Sequence, residues 1–172
     1  EVDEWMRIFR IVKSYGINHY RYHTWCPPGA AFEAADRVGI YMQPELPLWE
    51  DLGIKTADMR GDVEIRTGDP KGEERIAYCK AEGLRILNEF GNHASFCMFA
   101  LGNELNGDRE LMESMVEKFR QSDPRHLYAM GSNNFFWQPQ LSALDDYWTT
   151  MMTGGRYRAG NFFPDSHGLE VR

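Results

Sequence analysis

Apolar positions along the chain change period repeatedly, and each change predicts an element. Val2, Trp5, Ile8, Phe9 and Val12 recur at helical spacing and stop at Gly16, which predicts an amphipathic helix lying on a sheet. Ile17 to Tyr22 is rich in β-branched and aromatic residues and reads as a strand, ended by His23-Thr24-Trp25-Cys26-Pro27-Pro28, where two prolines stiffen the loop. The unit then repeats. A helix starting near Gly29 carries Phe32, Ala35 and Val38 and stops at Gly39, and the strand Ile40-Tyr41-Met42-Gln43 runs out at Pro44-Glu45-Leu46-Pro47. Leu48 to Pro70 is charged, irregular and rich in glycine, and reads as a functional loop or a mobile connection. Helical spacing resumes from Gly72 to Phe90, closed by Gly91-Asn92-His93.

Phe96-Cys97-Met98-Phe99-Ala100-Leu101-Gly102-Asn103-Glu104 follows, an apolar run that ends in an amide and a carboxylate. Such a run reads as a strand buried on both faces, as in a parallel sheet covered by helices. Asn103 and Glu104 then either cap the next helix or supply a site, with Glu104 suited to general acid work on the rim of an α/β barrel. Asp108 opens a helix with Leu111, Met112, Met115, Val116 and Phe119 on its inner stripe. Asp123-Pro124 stops it, Leu127 to Met130 is a fourth strand, and Leu144 to Met151 contains a fifth. The tail from Gly154 carries no strand pattern.

Helix and strand alternation with short turns predicts an α/β fold with a parallel sheet and right-handed crossovers, either doubly wound or part of a barrel. No GxGxxG follows a strand and no GxxxxGK[ST] is present, which removes the main support for a nucleotide site. A net charge of -7 with scattered Lys and Arg leaves no electrostatic footprint for nucleic acid. No apolar stretch approaches the ~20 residues of a membrane span. Cys26, Cys79 and Cys97 lack CxxC spacing and read as packed free thiols.

Three segments together resemble glycoside hydrolase family 2, the family of β-galactosidases, β-glucuronidases and β-mannosidases: Ile17-Asn18-His19-Tyr20-Arg21-Tyr22-His23 before two prolines, Phe32 to Tyr41, and Gly91-Asn92-His93 through Gly102-Asn103-Glu104. The resemblance reaches to about Asn134 and more weakly to Tyr147. It implies a partial TIM (β/α)8 barrel containing about strands two to six. A whole barrel takes roughly 250 residues, and the chain has 172. Residues 1–172 are accordingly expected to be a fragment of one catalytic domain, without the preceding β-sandwich domains and the last barrel strands, so the rest of the parent enzyme is the expected partner.

The resemblance also implies roles. Glu104 matches the general acid/base, Asn103 the residue that hydrogen-bonds the sugar 2-hydroxyl, Arg21 an arginine that positions carboxylates, and His23 a histidine of the substrate rim. Arg21 is a site residue or half of a structural ion pair, and Glu45 is its partner or a direct substrate contact. Trp25, Trp49, Trp137, Trp148 and Tyr157 are candidates for stacking on sugars, with Trp25 and Trp148 taken as substrate-binding; the same rings also suit core packing. The seventh-strand nucleophile of the family is expected outside this chain, which alone is expected to be inactive. Asp145 and Asp146 begin a strand, at the end away from the rim. The loop after Gln43 departs from the pattern of metal-binding relatives, so no metal or other cofactor is expected. The implied substrate is a carbohydrate, hydrolysed at a β-linkage with retention. Two other readings stay open: a carbohydrate-binding partial barrel without hydrolysis, and an unrelated α/β enzyme that uses Glu45 and Glu104.

Overall fold

The computed structural model describes residues 1–49, 55–57, 63–65, 72–105, 108–132, 142–149 and 169–171. Helix α1 (Val2–Ser14) leads into strand β1 (His19–Arg21), and α2 (Gly29–Val38) into β2 (Tyr41–Gln43). Two short strands, β3 (Lys55–Ala57) and β4 (Val63–Ile65), precede α3 (Gly72–Phe90). Strand β5 (Met98–Ala100), helix α4 (Arg109–Ser122), and strands β6 (Leu127–Ala129), β7 (Tyr147–Thr149) and β8 (Leu169–Val171) complete the order.

β1 pairs with β2 in parallel, with Arg21 opposite Gln43, and β5 pairs with β6 in parallel, with Ala100 opposite Ala129. Parallel bridges Met42↔Phe96 and Glu45↔Ala100 join the two pairs, and Asn103↔Ser132 extends β5 against β6. β7 lies beside β6, tied by the Asp146 N–H to the Tyr128 carbonyl at 2.8 Å. The spatial order is therefore β1-β2-β5-β6-β7, with a helix in each of the first three crossovers. This is a run of barrel strands that does not close among the described residues.

Alternation along the strands separates two cores. Phe99 and Tyr128 face the helices, where Phe99 meets Phe119 of α4 at 5.6 Å between centroids and Phe32 stacks on Phe90 at 4.5 Å. Ala100, Ala129 and Tyr147 pack together in the barrel interior with Met98 and Leu127 against them, as expected where inward side chains fill the middle of a barrel. The helices end where the sequence places their stops. Gly39 takes φ 78 at the end of α2, and the Asp108 carboxylate caps α4 by accepting from the Leu111 N–H at 3.2 Å.

Two departures from the sequence reading are local. Within the stretch read as an irregular loop, β3 and β4 pair antiparallel, Thr56 against Glu64; three-residue segments are too short to display a period. β8, in a tail without strand pattern, pairs antiparallel with β7, an available edge for the β-branched Val171 and its neighbours. Among the described residues no helix is long and apolar enough to cross a membrane.

All three cysteines are free, and burial pushes the Cys26 thiol up to about 12, which removes it from nucleophilic chemistry. Beneath the sheet, Asp123 ends α4 and accepts from Arg125 Nε at 2.7 Å and Nη2 at 2.6 Å, with His126 Nε2 at 3.1 Å. The Arg125 guanidinium holds this carboxyl far below its ordinary range.

Two substitutions test this packing. A Cβ on Gly83 would lie 2.2 Å from the tip of the Phe119 ring, which is itself fully buried. Gly83→Ala should therefore lower the urea unfolding free energy by about 1–3 kcal/mol although alanine favours helix. Asp123→Asn should cost about 1.5–3 kcal/mol at neutral pH. Because the folded-state carboxyl titrates below the unfolded value of about 3.9, this contribution is complete above that pH. Its gap to wild type should narrow as pH falls through the acid range.

Candidate active site

The strand register puts polar residues on one face of the sheet. On β1, His19 and Arg21 alternate with Tyr20 and Tyr22, which join the helix-side core. Arg21 lies opposite Gln43, and Glu45 follows two residues later on the same face. Arg21 Nε donates to Glu45 Oε1 at 2.6 Å and Nη2 to Oε2 at 3.1 Å, a two-pronged pair in which the Glu45 side chain is 0% and the Arg21 side chain 24% exposed. Three further donors complete the carboxylate, the Thr24 N–H to Oε2 at 2.9 Å, Ser132 Oγ to Oε1 at 2.9 Å and Gln43 Nε2 to Oε1 at 3.5 Å. The pair with Arg21 is one of the two positions the sequence leaves open for Glu45.

Arg21 also reaches across the sheet, where Nη2 donates to Asn103 Oδ1 at 2.7 Å. That bond fixes the amide with its NH2 as the free end. Asn103 is buried at 4% exposure, and its N–H donates to the Leu48 carbonyl at 3.1 Å. Gly102 permits this approach, since a Cβ there would lie 2.0 Å from the Leu48 carbonyl oxygen. Glu104 follows with φ 51, and its N–H donates to the Ser132 carbonyl at 2.8 Å. A left-handed backbone at a non-glycine residue is uncommon, and it re-aims the side chain at the strand end. Thr24, φ 58, is the second such residue and sits on the same rim.

Glu104 is half-buried, and the Trp49 indole N–H donates to its Oε2 at 3.1 Å. His23 meets Trp49 edge to face at 4.9 Å, and its Nδ1 lies 3.2 Å from Thr24 Oγ1. Arg21, Glu45, Asn103, Glu104 and His23 thus converge on the ends of β1, β2 and β5. Trp25 stands on the rim, 43% exposed, with its edge against Tyr22. The backbone of Trp148 lies in β7, while its side chain, Trp137 and Tyr157 fall outside the described residues. Asp145 and Asp146 precede β7 with their oxygens engaged. Asp145 accepts from the Met130 and Ser142 N–H groups, and Asp146 from the Tyr128 N–H and Arg120.

Thr24 and Ser132 hold Glu45 without any sequence signal, because a backbone N–H and a lone hydroxyl leave none. Trp49 reads in the sequence only as one aromatic among several, although its place just beyond the strand-ending Pro44-Glu45-Leu46-Pro47 put it on the rim. Among the described residues no group of three or more His, Cys, Asp or Glu is arranged to hold a metal ion.

The profile of "Glycosyl hydrolases family 2, TIM barrel domain" matches residues 2–156. The chain belongs to glycosyl hydrolase family 2. Solved structures agree on the fold of this family 2 domain. A β-glucuronidase from Parabacteroides merdae shares 19% identity with a TM-score of 0.64, over 87% of this chain and 17% of that one. An FMN-binding β-glucuronidase from Facaelibacterium prausnitzii L2-6 shares 15% identity with a TM-score of 0.66, over 87% and 22%. A β-glycosidase from Bacteroides vulgatus shares 21% identity with a TM-score of 0.56, over 74% and 15%. At these identities the likeness is one of fold, and the family 2 chain spans about a fifth of the length of the first two. No curated protein sequence matches it.

The ion pair has a measurable consequence. Glu45→Ala leaves a guanidinium unpaired among buried groups and should lower the unfolding free energy by about 3–5 kcal/mol, read from the urea midpoint. An unchanged midpoint would return Glu45 to the role of a substrate contact.

Proposed function

We propose that the protein acts as a glycoside hydrolase on a β-linked sugar, with retention, and that Glu104 is its general acid/base. The observation that carries this reading is the pairing on one barrel rim of Glu104, half-buried and held by the Trp49 N–H, with an adjacent Asn103 locked by Arg21. A glycosidic oxygen is a poor leaving group, so a carboxylic acid must protonate it as the bond to the anomeric carbon breaks. The resulting carboxylate then takes a proton from the attacking water. Asn103, with its Oδ1 engaged by Arg21, has its NH2 left to donate to the sugar 2-hydroxyl, a contact that strengthens in the oxocarbenium-like transition state. His23 and Trp25 contribute to the substrate rim in this reading. Trp148 is proposed as a stacking residue on sequence grounds alone.

Retention needs a second carboxylate about 5 Å from the first. Glu45 is unsuited to attack, because its oxygens are taken by Arg21, Thr24 and Ser132 and it is 0% exposed. We place the nucleophile on a barrel strand beyond the described residues.

The test is hydrolysis of β-galactosides, β-glucosides, β-glucuronides and β-mannosides by the full-length protein that contains this chain, beside its Glu104→Gln variant. Turnover of substrates with poor, alkyl-type leaving groups should fall by about a hundred- to ten-thousand-fold. Cleavage of dinitrophenyl glycosides, which need no proton, should be spared in the first step. Equal loss on both would remove Glu104 from the acid role, and sugar binding without turnover in the wild type would favour a carbohydrate-binding barrel.

A further inference from the structure

The turns that lead into β5 and β6 lie at the end of the strands opposite the rim, and they enclose a polar cavity of about 410 Å³ between the last turns of α3 and the end of α4. Its apolar wall is Leu84 and Leu87, which share a face of α3 with Asn88. Asn92 from the turn after α3 and Ser122 and Arg125 from the end of α4 and the turn that follows supply the facing groups. Leu87 is buried in the core, whereas Asn88, Asn92 and Ser122 are exposed at the mouth.

The hydrogen-bonding capacity of this cavity is only partly used by the fold. Arg125 donates through Nε and Nη2 to Asp123, and through Nη1 to Asn92 Oδ1 at 2.7 Å. A guanidinium carries five N–H groups, so these bonds do not exhaust it, and the bond to Asn92 occupies the amide oxygen and leaves the NH2 to donate. The Asn88 amide has no hydrogen bond among the described residues and offers a donor and an acceptor together. Ser122 Oγ donates to the Lys118 carbonyl at 2.9 Å and keeps its lone pairs.

Charge decides what such a cavity accepts. Arg125 is neutralised by Asp123 at 2.6 Å, and α3 and α4 both end here, so their terminal carbonyls add negative potential. An anion meets the carboxylate and two helix C-termini, and a cation meets the guanidinium. A neutral ligand with several neighbouring hydroxyls avoids both conflicts. It accepts from Asn92 and Arg125, donates to Ser122 and the Asn88 oxygen, and lays its C–H face on Leu84 and Leu87. The volume falls within the roughly 300–1,000 Å³ of small-molecule sites.

We propose that this cavity is a second, non-catalytic carbohydrate site, which holds one neutral sugar unit at the end of the barrel away from Glu104. The choice of a sugar among neutral hydroxylated ligands rests on the glycosidase reading above. A polysaccharide held there keeps its free ends at a raised local concentration for the rim.

The test is methyl-detected NMR of the full-length protein with labelled leucines, titrated with methyl β-glycosides of galactose, glucose, mannose and glucuronic acid. Leu84 and Leu87 report the cavity, and Leu48, whose carbonyl meets the Asn103 N–H, reports the rim. The Leu84 and Leu87 signals should shift and saturate with a Kd of about 1–10 mM for a neutral sugar. Asn88→Ala, which suits a helix and leaves folding intact, should raise that Kd about tenfold with the Leu48 response unchanged. The glucuronide should bind the cavity about tenfold more weakly than the glucoside. Leu84 and Leu87 signals that stay still, that keep the same Kd in Asn88→Ala, or that respond equally to glycerol as an adventitious additive overturn the site, and equal affinity for the glucuronide overturns its preference for neutral ligands. Movement at Leu48 alone overturns the cavity site and leaves the glycosidase reading standing, whereas no movement at any of the three overturns both.

Discussion

The arrangement of the rim depends on one buried carboxylate. Glu45 lies at the end of β2 with no exposed side-chain surface, in a place where an ionised group is costly unless every lone pair is used. The requirement is met by Gln43 on β2 itself and by donors from three other segments: both prongs of Arg21 on β1, the N–H of Thr24 in the loop after β1, and the hydroxyl of Ser132 just beyond β6. Because the partners are spread along the rim, the charge acts as a clasp on strands that are otherwise only three residues long. It also explains why Thr24 accepts a left-handed backbone, since its N–H is one of the donors.

From this clasp the chemistry-bearing groups follow in order. Arg21 has one nitrogen shared between Glu45 and Asn103, so the orientation of the Asn103 amide is inherited from the ion pair. Asn103 is also tied through its backbone to Leu48, at a crossing that only glycine at 102 allows, and the loop that carries Leu48 carries Trp49. The donor to Glu104 is therefore positioned by the same close approach that positions Asn103. Under the proposed reading, groups pre-organised in this way need no reorganisation when charge develops. Changes at Gly102 or Ser132, which carry no titratable group, are expected to shift the rim residues that they hold, Asn103 with Leu48 and Glu45.

Much of this was legible in the sequence, and the reasons differ by element. The strand from Phe96 was readable because an apolar run buried on both faces has no other natural form in an alternating α/β chain, and the helices were readable from stripes closed by Gly39 and Asp123-Pro124. Arg21 stood out as a charge on an aromatic strand. The β3 and β4 hairpin and β8 were not legible, because a three-residue strand owes its existence to its partner rather than to its own period. Thr24 and Ser132 were invisible for another reason: what they contribute is a donor at a point in space, and that point is set by the register of residues as far as 87 positions apart.

The acidic residues show how environment separates structural from chemical roles. Asp123, Asp145 and Asp146 each accept two or more hydrogen bonds that bind one segment of backbone to another: the end of α4 to Arg125 and His126, Met130 to Ser142, and Tyr128 to Arg120. A carboxylate so occupied serves to hold the backbone around it. Glu45 belongs with them despite its place on the rim. Glu104 differs in backbone and in setting: it takes a left-handed φ, stands half-exposed at a strand end, and meets an indole N–H from an accessible ring. Under the proposed reading, this accessible setting at a strand end is what lets Glu104 meet an incoming ligand.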